Sequence, residues 1–171
     1  LETAEACRHR ALPHVNNARE MAQRGQQHEA SRVLQPDHIA QDIIRELKPL
    51  NDTSQNRLEL ILQGPFRSYQ LEGLPYTFSQ VLYNLVDNAI KYTEKGSIVV
   101  RLALSRAHSG SAVLSVEVTD TGIGISKEVQ QLVFEEFKTA DLYENHAKTG
   151  SGLGLSIAKR GVEMQGGELQ V

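Results

Sequence analysis

Cysteine is almost absent from this sequence. The single Cys7 excludes an internal disulfide and any cysteine-rich zinc site. Long apolar runs are also missing: nothing approaches the roughly eighteen consecutive apolar residues that a membrane helix needs. No charged start, apolar stretch and cleavage site combine into a signal peptide, so nothing in these residues argues for secretion. Neither sign of charge predominates. A net charge of −3 gives no global attraction to nucleic acid and leaves room only for a local basic pocket. Proline stops early, all five lying at or before Pro75, whereas eight of the thirteen glycines lie from Gly122 onward. What remains is the balance of a globular protein, 40% hydrophobic and 23% charged over 171 residues. That length suits one domain, or a domain with a helical appendage. The glycine-rich final third is where function is sought.

Hydrophobic spacing divides the chain into segments. The first thirty or so residues read as a weakly amphipathic helix whose stripe (Ala4, Cys7, Ala11, Ala18, Met21) is made of small side chains and is interrupted at Pro13. A second helix opens at Pro36 and Asp37, carries Ile39, Ile43, Ile44 and Leu47, and is expected to stop at Pro49. Leu58, Leu60 and Leu62 alternate as in a half-buried strand closed by Gly64 and Pro65. A third helix is predicted over 75–92, with Phe78, Val81, Leu82, Leu85, Val86, Ala89 and Ile90 on one broad face. Strands over 97–104 and 112–118 flank a polar hairpin loop from His108. A short helix near 127–134, a last helix over 153–165 capped by Gly166 and Gly167, and a strand starting at Glu168 complete the pattern. The layout predicts an α+β fold, a two-layer sandwich with helices on one face of a mixed, largely antiparallel sheet, preceded by a helical segment.

Three segments carry chemistry. Asp120, Gly122 and Gly124 place a carboxylate at the end of a strand and let the backbone behind it approach a flat ligand closely. A carboxylate accepts hydrogen bonds and suits an exocyclic amine such as that of adenine; read alone, the same residues also suit a plain strand-to-helix turn. Gly150, Ser151, Gly152, Leu153 and Gly154 precede a helix, where free N–H groups and the positive dipole end favour an anion. Neither a Walker loop nor a dinucleotide fingerprint is present there. Asn84 and Asn88 stand four apart in the middle of a helix, where asparagine is disfavoured, with Lys91 and Tyr92 one turn on. Amide oxygen is a hard donor suited to Mg²⁺, lysine adds charge for phosphate, and tyrosine adds an aromatic face.

In this order and spacing, the segments resemble the boxes of the Bergerat ATP-binding domain, shared by gyrase, heat-shock chaperones, sensor histidine kinases and mismatch-repair ATPases. Residues 84–92 resemble the N box, 120–124 the first glycine box, and 150–155 the second. Phe134, Glu135, Glu136 and Phe137 resemble the phenylalanine box of the histidine kinases. The resemblance covers roughly residues 36–171 and implies ATP and Mg²⁺ as ligands. It makes Asn88 the metal ligand and Asp120 the adenine reader. Lys91 and Tyr92 become phosphate and adenine-side contacts, while Gly122, Gly124, Ser151, Gly152, Leu153 and Gly154 surround the nucleotide. Asn84 and Lys91 are the positions assigned to catalysis, and residues 126–149 would form a mobile lid whose Lys138, His146 and Lys148 could assist.

The hydrolases of the superfamily carry a glutamate four residues before the metal asparagine, as general base for water. Here that position is Asn84, which cannot take a proton, so the resemblance implies transfer to a protein histidine. Neither His9 nor His14 has the flanking residues of a phosphoacceptor, and His28 and His38 have no supporting motif, which puts the acceptor outside the fragment. The implied organisation is a helical segment over 1–34, the end of a dimerisation or linker helix, then a C-terminally incomplete catalytic domain over 35–171. The implied partners are a histidine-containing dimerisation domain and a response-regulator receiver domain, with no nucleic acid and a homodimer in the full-length protein. The implied location is cytoplasmic, as part of a sensor that can be membrane-anchored. A dehydrogenase-kinase-type enzyme and a degenerate, non-catalytic nucleotide-binding module share enough of these features to stand as alternatives. Gly161 alone among the late glycines has no evident task.

Overall fold

A computed structural model of the chain describes residues 29–54, 56–106, 111–130, 132–135 and 153–171. Ser31–Val171 forms a compact unit in itself. The early amphipathic stretch, with Cys7, His9, His14 and His28, lies outside the described residues.

The order of elements is β1 (Arg32–Leu34), α1 (Pro36–Ser54), β2 (Arg57–Gln63), a turn of 3₁₀ helix (Phe66–Ser68), β3 (Leu71–Gly73), α2 (Pro75–Tyr92), β4 (Ser97–Arg106), β5 (Ala112–Asp120), the four-residue α3 (Lys127–Gln130) and α4 (Gly154–Glu163). β4 is the centre of a three-stranded sheet, parallel to β2 and antiparallel to β5. β1 and β3 pair antiparallel as a separate two-stranded sheet, each too short to leave a periodic signal.

The strict alternation of β4 fixes which side of the sheet the helices cover. Ile98, Val100, Leu102 and Leu104 are buried, while the residues between them point to the other face. Against the buried row pack Ile43 and Leu47 of α1 and Phe78, Leu82, Val86, Ala89 and Ile90 of α2, giving one core. Each fully buried Val, Leu, Ile or Phe side chain among them contributes about 1.5–3 kcal/mol. The mixed two-layer α/β arrangement predicted from the spacing is the one observed.

Several boundaries differ from expectation: β4 and β5 each run two residues longer, α3 ends at Gln130 rather than near 134, and three others follow from packing, capping and strand pairing. α1 does not stop at Pro49 but carries it internally and runs on to Ser54. Burial explains this: Leu47 and Asn51, on either side, are 0% and 2% exposed, and that packing outweighs the hydrogen bond a proline cannot donate. α4 ends at Glu163 rather than 165, and the chain then closes a Schellman turn. In that turn Gly166 has φ 73°, its N–H bonds the Glu163 carbonyl, and the Gly167 N–H bonds the Val162 carbonyl. Residues 168–171 form no strand, having no ladder partner among the described residues.

Gly161 acquires a role. A Cβ on it would lie 2.7 Å from Val81 Cγ2 and 3.1 Å from Thr77 Cγ2, so the missing side chain lets α4 press onto α2. Gly154 lies beside Asn84 and Asn88, and the Gln165 Oε1 accepts from the Leu74 N–H at 3.3 Å. α4 therefore runs antiparallel along α2, its N-terminus over the two asparagines. Among the described residues, no helix is long and apolar enough to cross a membrane.

Candidate functional site

The C-terminal half of α2 gathers the predicted site. Its side carries Asn84 and Asn88, both half-buried, and its end carries Lys91 and Tyr92. A Cβ on Gly154 would lie 3.5 Å from Asn88 Nδ2 and 3.7 Å from the Oδ1 atoms of both Asn84 and Asn88. The space that a side chain at 154 would occupy is thus bordered by two amide oxygens. These neutral hard donors suit a divalent cation that takes its other ligands from water and phosphate. Among the described residues, no cluster of three or more His, Cys, Asp or Glu could hold a metal instead. Leu153, the N-cap of α4, has no side chain that can bond the first amides of the helix, and these remain suited to an anion.

The glycine loop after β5 closes the other end. Asp120 is exposed, and its Oδ1 accepts the Gly122 N–H at 2.8 Å and the Thr93 hydroxyl at 3.4 Å. The Ile123 N–H donates to the Tyr92 carbonyl at 3.3 Å, which ties the loop to the end of α2. A Cβ on Gly122 would lie 2.2 Å from that carbonyl oxygen, so only glycine fits. Gly124, with φ 69° and nothing within 4 Å of the Cβ position, is open. Asn84, Asn88, Tyr92, Asp120, Gly122 and Gly154 are therefore arrayed along the C-terminal half of α2, with Leu153 at the start of α4. Ser151 and Gly152 lie outside the described residues, as do Glu136, Phe137, Lys138, His146 and Lys148.

Lys91 stands in an ion pair that the motif reading missed. Its Nζ lies 2.5 Å from Asp87 Oδ2, with the Asp87 side chain 9% exposed and that of Lys91 35% exposed. The four-residue spacing of Asp87 and Lys91 was the available signal. Beside them, the Tyr83 hydroxyl is pushed up to about 12 by burial first, then by the charges of Asp87 and Glu46. In the segment after the glycine loop, hydrogen bonds from its own backbone and from Ser126 hold Glu128 below the usual carboxylate range, and Val133 is buried. Phe134 of the phenylalanine box meets α4, with Lys159 Nζ 5.2 Å from its ring centre. His38, exposed, lies 3.8 Å from Asp37 at the start of α1 and belongs to no such cluster.

Comparison with known proteins bears on this arrangement directly. Residues 73–171, more than half of the chain, match the family described as histidine kinase-, DNA gyrase B-, and HSP90-like ATPase. The chain belongs to that family. The sensor histidine kinase GacS of Pseudomonas protegens is 40% identical over 134 residues, which cover 78% of this chain and 14% of GacS. The autoinducer 2 sensor kinase/phosphatase LuxQ of Vibrio vulnificus is 44% identical over 103 residues, 60% of this chain and 12% of LuxQ. The chain thus spans about one-seventh of the length of the first of these relatives. Among solved structures, the mycobacterial sensor histidine kinase MprB superposes with a TM-score of 0.58 at 25% identity over 84% of each chain. Full-length ShkA in complex with AMPPNP gives 0.70 at 24% identity over 94% of this chain and 34% of that one, a likeness of fold. The ATP-binding domain of a histidine kinase is accordingly the right description of this family member.

Proposed function

We propose that the chain binds Mg-ATP and serves the transfer of its γ-phosphoryl group to a histidine outside these residues, in a two-component sensor kinase. The observation that carries this reading is the convergence of Asn84, Asn88 and Gly154 on one small space beside α2. Asp120 accepts a hydrogen bond from the adenine amine, and Gly122 keeps the wall behind the base flat. Asn88 is the protein ligand for Mg²⁺, which when bound would neutralise phosphate charge. The N-terminus of α4 and the backbone at Leu153 and Gly154 receive the phosphates, together with Ser151 and Gly152. Tyr92 borders the base, and Lys91, oriented by Asp87, supplies positive charge. Asn84 cannot accept a proton, so water is not activated and the nucleotide is held for a protein acceptor. Phosphoryl transfer needs little from the protein beyond positioning and charge neutralisation, which these groups can supply.

The dimerisation domain carrying the histidine and a receiver domain are the proposed partners, with the enzyme a homodimer acting in the cytoplasm. The segment over 1–34 is proposed as the end of the dimerisation or linker helix, except that its last residues, Arg32–Leu34, form strand β1 rather than helix, and 35–171 as the catalytic domain. The test is to incubate the chain with labelled ATP and a histidine-bearing dimerisation domain. Acid-labile, base-stable phosphate on that domain is expected. Steady ATP hydrolysis without any acceptor, surviving Asn84→Ala, would contradict the role given to Asn84.

A further inference from the structure

We infer that Asn56 is a positioning residue for nucleotide selection: through Thr93 it holds the Asp120 carboxylate in the geometry that discriminates a 6-amino purine. The inference rests on the adenine-reading role proposed above for Asp120.

Thr93 is the C-cap of α2, extended at φ −107° and ψ 109°, and 1% exposed. The last carbonyls of a helix have no partner within it and must find donors elsewhere. Here two successive carbonyls are taken from two directions. Tyr92 O accepts from the Ile123 N–H of the glycine loop, and Thr93 O accepts from Asn56 Nδ2 at 2.7 Å. A carbonyl can only accept, so the amide nitrogen of Asn56 has to face it. Asn56 is itself fixed: its own carbonyl accepts from Asn51 Nδ2 at 2.7 Å, and the next residue, Arg57, donates its N–H to Gly96 O at 2.9 Å.

Asn51 and Asn56 are 2% and 8% exposed, positions where apolar side chains would ordinarily stand. Their bonds form a buried chain from the last turn of α1, through the α1–β2 connection, to the end of α2. The chain reaches the site through the Thr93 side chain. Its hydroxyl donates to Asp120 Oδ1, the same oxygen that accepts the Gly122 N–H. Both donors thus fall on one oxygen, and among the described residues Asp120 Oδ2 carries neither bond and keeps its lone pairs for a donor from outside. A displaced Thr93 would leave Oδ1 held by the Gly122 N–H alone, allow the carboxylate to rotate about that single bond, and blur the distinction between a base that offers an amine and one that does not.

Selection, rather than stability alone, is the quantity to measure. Calorimetric titrations with ATP and with purine riboside triphosphate, which lacks the 6-amino group, give an affinity ratio for each variant, with thermal melts run in parallel. The wild-type chain is expected to favour ATP by about tenfold or more. Asn56→Asp keeps the shape but turns a donor into an acceptor facing a carbonyl, and Thr93→Val removes only the hydroxyl. Both are expected to bring the ratio close to one with little change in affinity for the analogue, whereas Thr93→Ser restores it. If Asn56→Asp does not fold, Thr93→Val and Thr93→Ser carry the test alone. Variants that melt lower yet keep the wild-type ratio would overturn the inference and leave these groups purely structural. If the wild type does not bind ATP, or if Asp120→Ala keeps the wild-type ratio, the role of Asp120 falls and the inference falls with it.

Discussion

Gly122 lies so close to Tyr92 that a Cβ on the glycine would sit 2.2 Å from the tyrosine carbonyl oxygen and 2.8 Å from Asp120 Oδ1. The obstacle is backbone, which cannot swing aside as a flexible side chain could. Gly122→Ala should therefore push the loop off the end of α2, at a cost of about 1–3 kcal/mol in urea unfolding. Affinity for Mg-ATP, read by calorimetry, should fall about tenfold or more, because the same shift moves Asp120.

Two glycines of α4 should answer to alanine in opposite ways. At Gly161 the new methyl meets Val81 at 2.7 Å, and the overpacking, about 1–3 kcal/mol, outweighs the helix propensity gained, about 1 kcal/mol. At Gly154 the nearest atom is 3.5 Å away, an ordinary contact, so the fold should be unharmed or slightly more stable. The methyl would nevertheless enter the space between Asn84 and Asn88, and Mg²⁺-dependent nucleotide binding should weaken. Denaturation midpoints and nucleotide titrations on the two variants separate packing from binding.

The Asp87–Lys91 pair is unequal in exposure, and its variants should be unequal too. Lys91→Met strands a carboxylate that is 9% exposed, whereas Asp87→Asn leaves a lysine that is 35% exposed and can turn to water. Lys91→Met should thus lose more stability, about 1–3 kcal/mol, and the double variant should recover much of it. A urea-unfolding double-mutant cycle reads this coupling directly.

Tyr83 predicts behaviour in alkali. Its folded value, about 12, lies above the ordinary 10, so on raising the pH the unfolded chain releases this proton first. The stabilisation is whole below pH 10 and is lost as pH climbs towards about 12. Tyr83→Phe should make the unfolding midpoint fall less steeply across that window than in the wild type.

Much of this was legible from residue spacing. α2 has the predicted bounds because Pro75 opens it, a broad apolar face sustains it, and a polar, glycine-ended stretch follows it. The candidate site residues stood out because asparagine inside a helix and clustered glycine are both locally unfavourable, so each marks a demand made by something other than the local fold. Pro49 misled because a local helix breaker was overruled by burial at Leu47 and Asn51. Asn51, Asn56 and Thr93 left no signal: polar residues near turns are common, and their bonds join segments up to 37 residues apart. Gly161 was opaque for the same reason, since its neighbours Thr77 and Val81 belong to another helix.

The most direct test is a calorimetric titration of the chain with ATP, with and without Mg²⁺, repeated on Asp120→Ala and Asn88→Ala. Mg²⁺-dependent binding by the wild type that Asp120→Ala abolishes, and that loses its Mg²⁺ dependence in Asn88→Ala, is the predicted result. Absence of adenine-nucleotide binding by the folded wild-type chain, or binding indifferent to both substitutions, would contradict it.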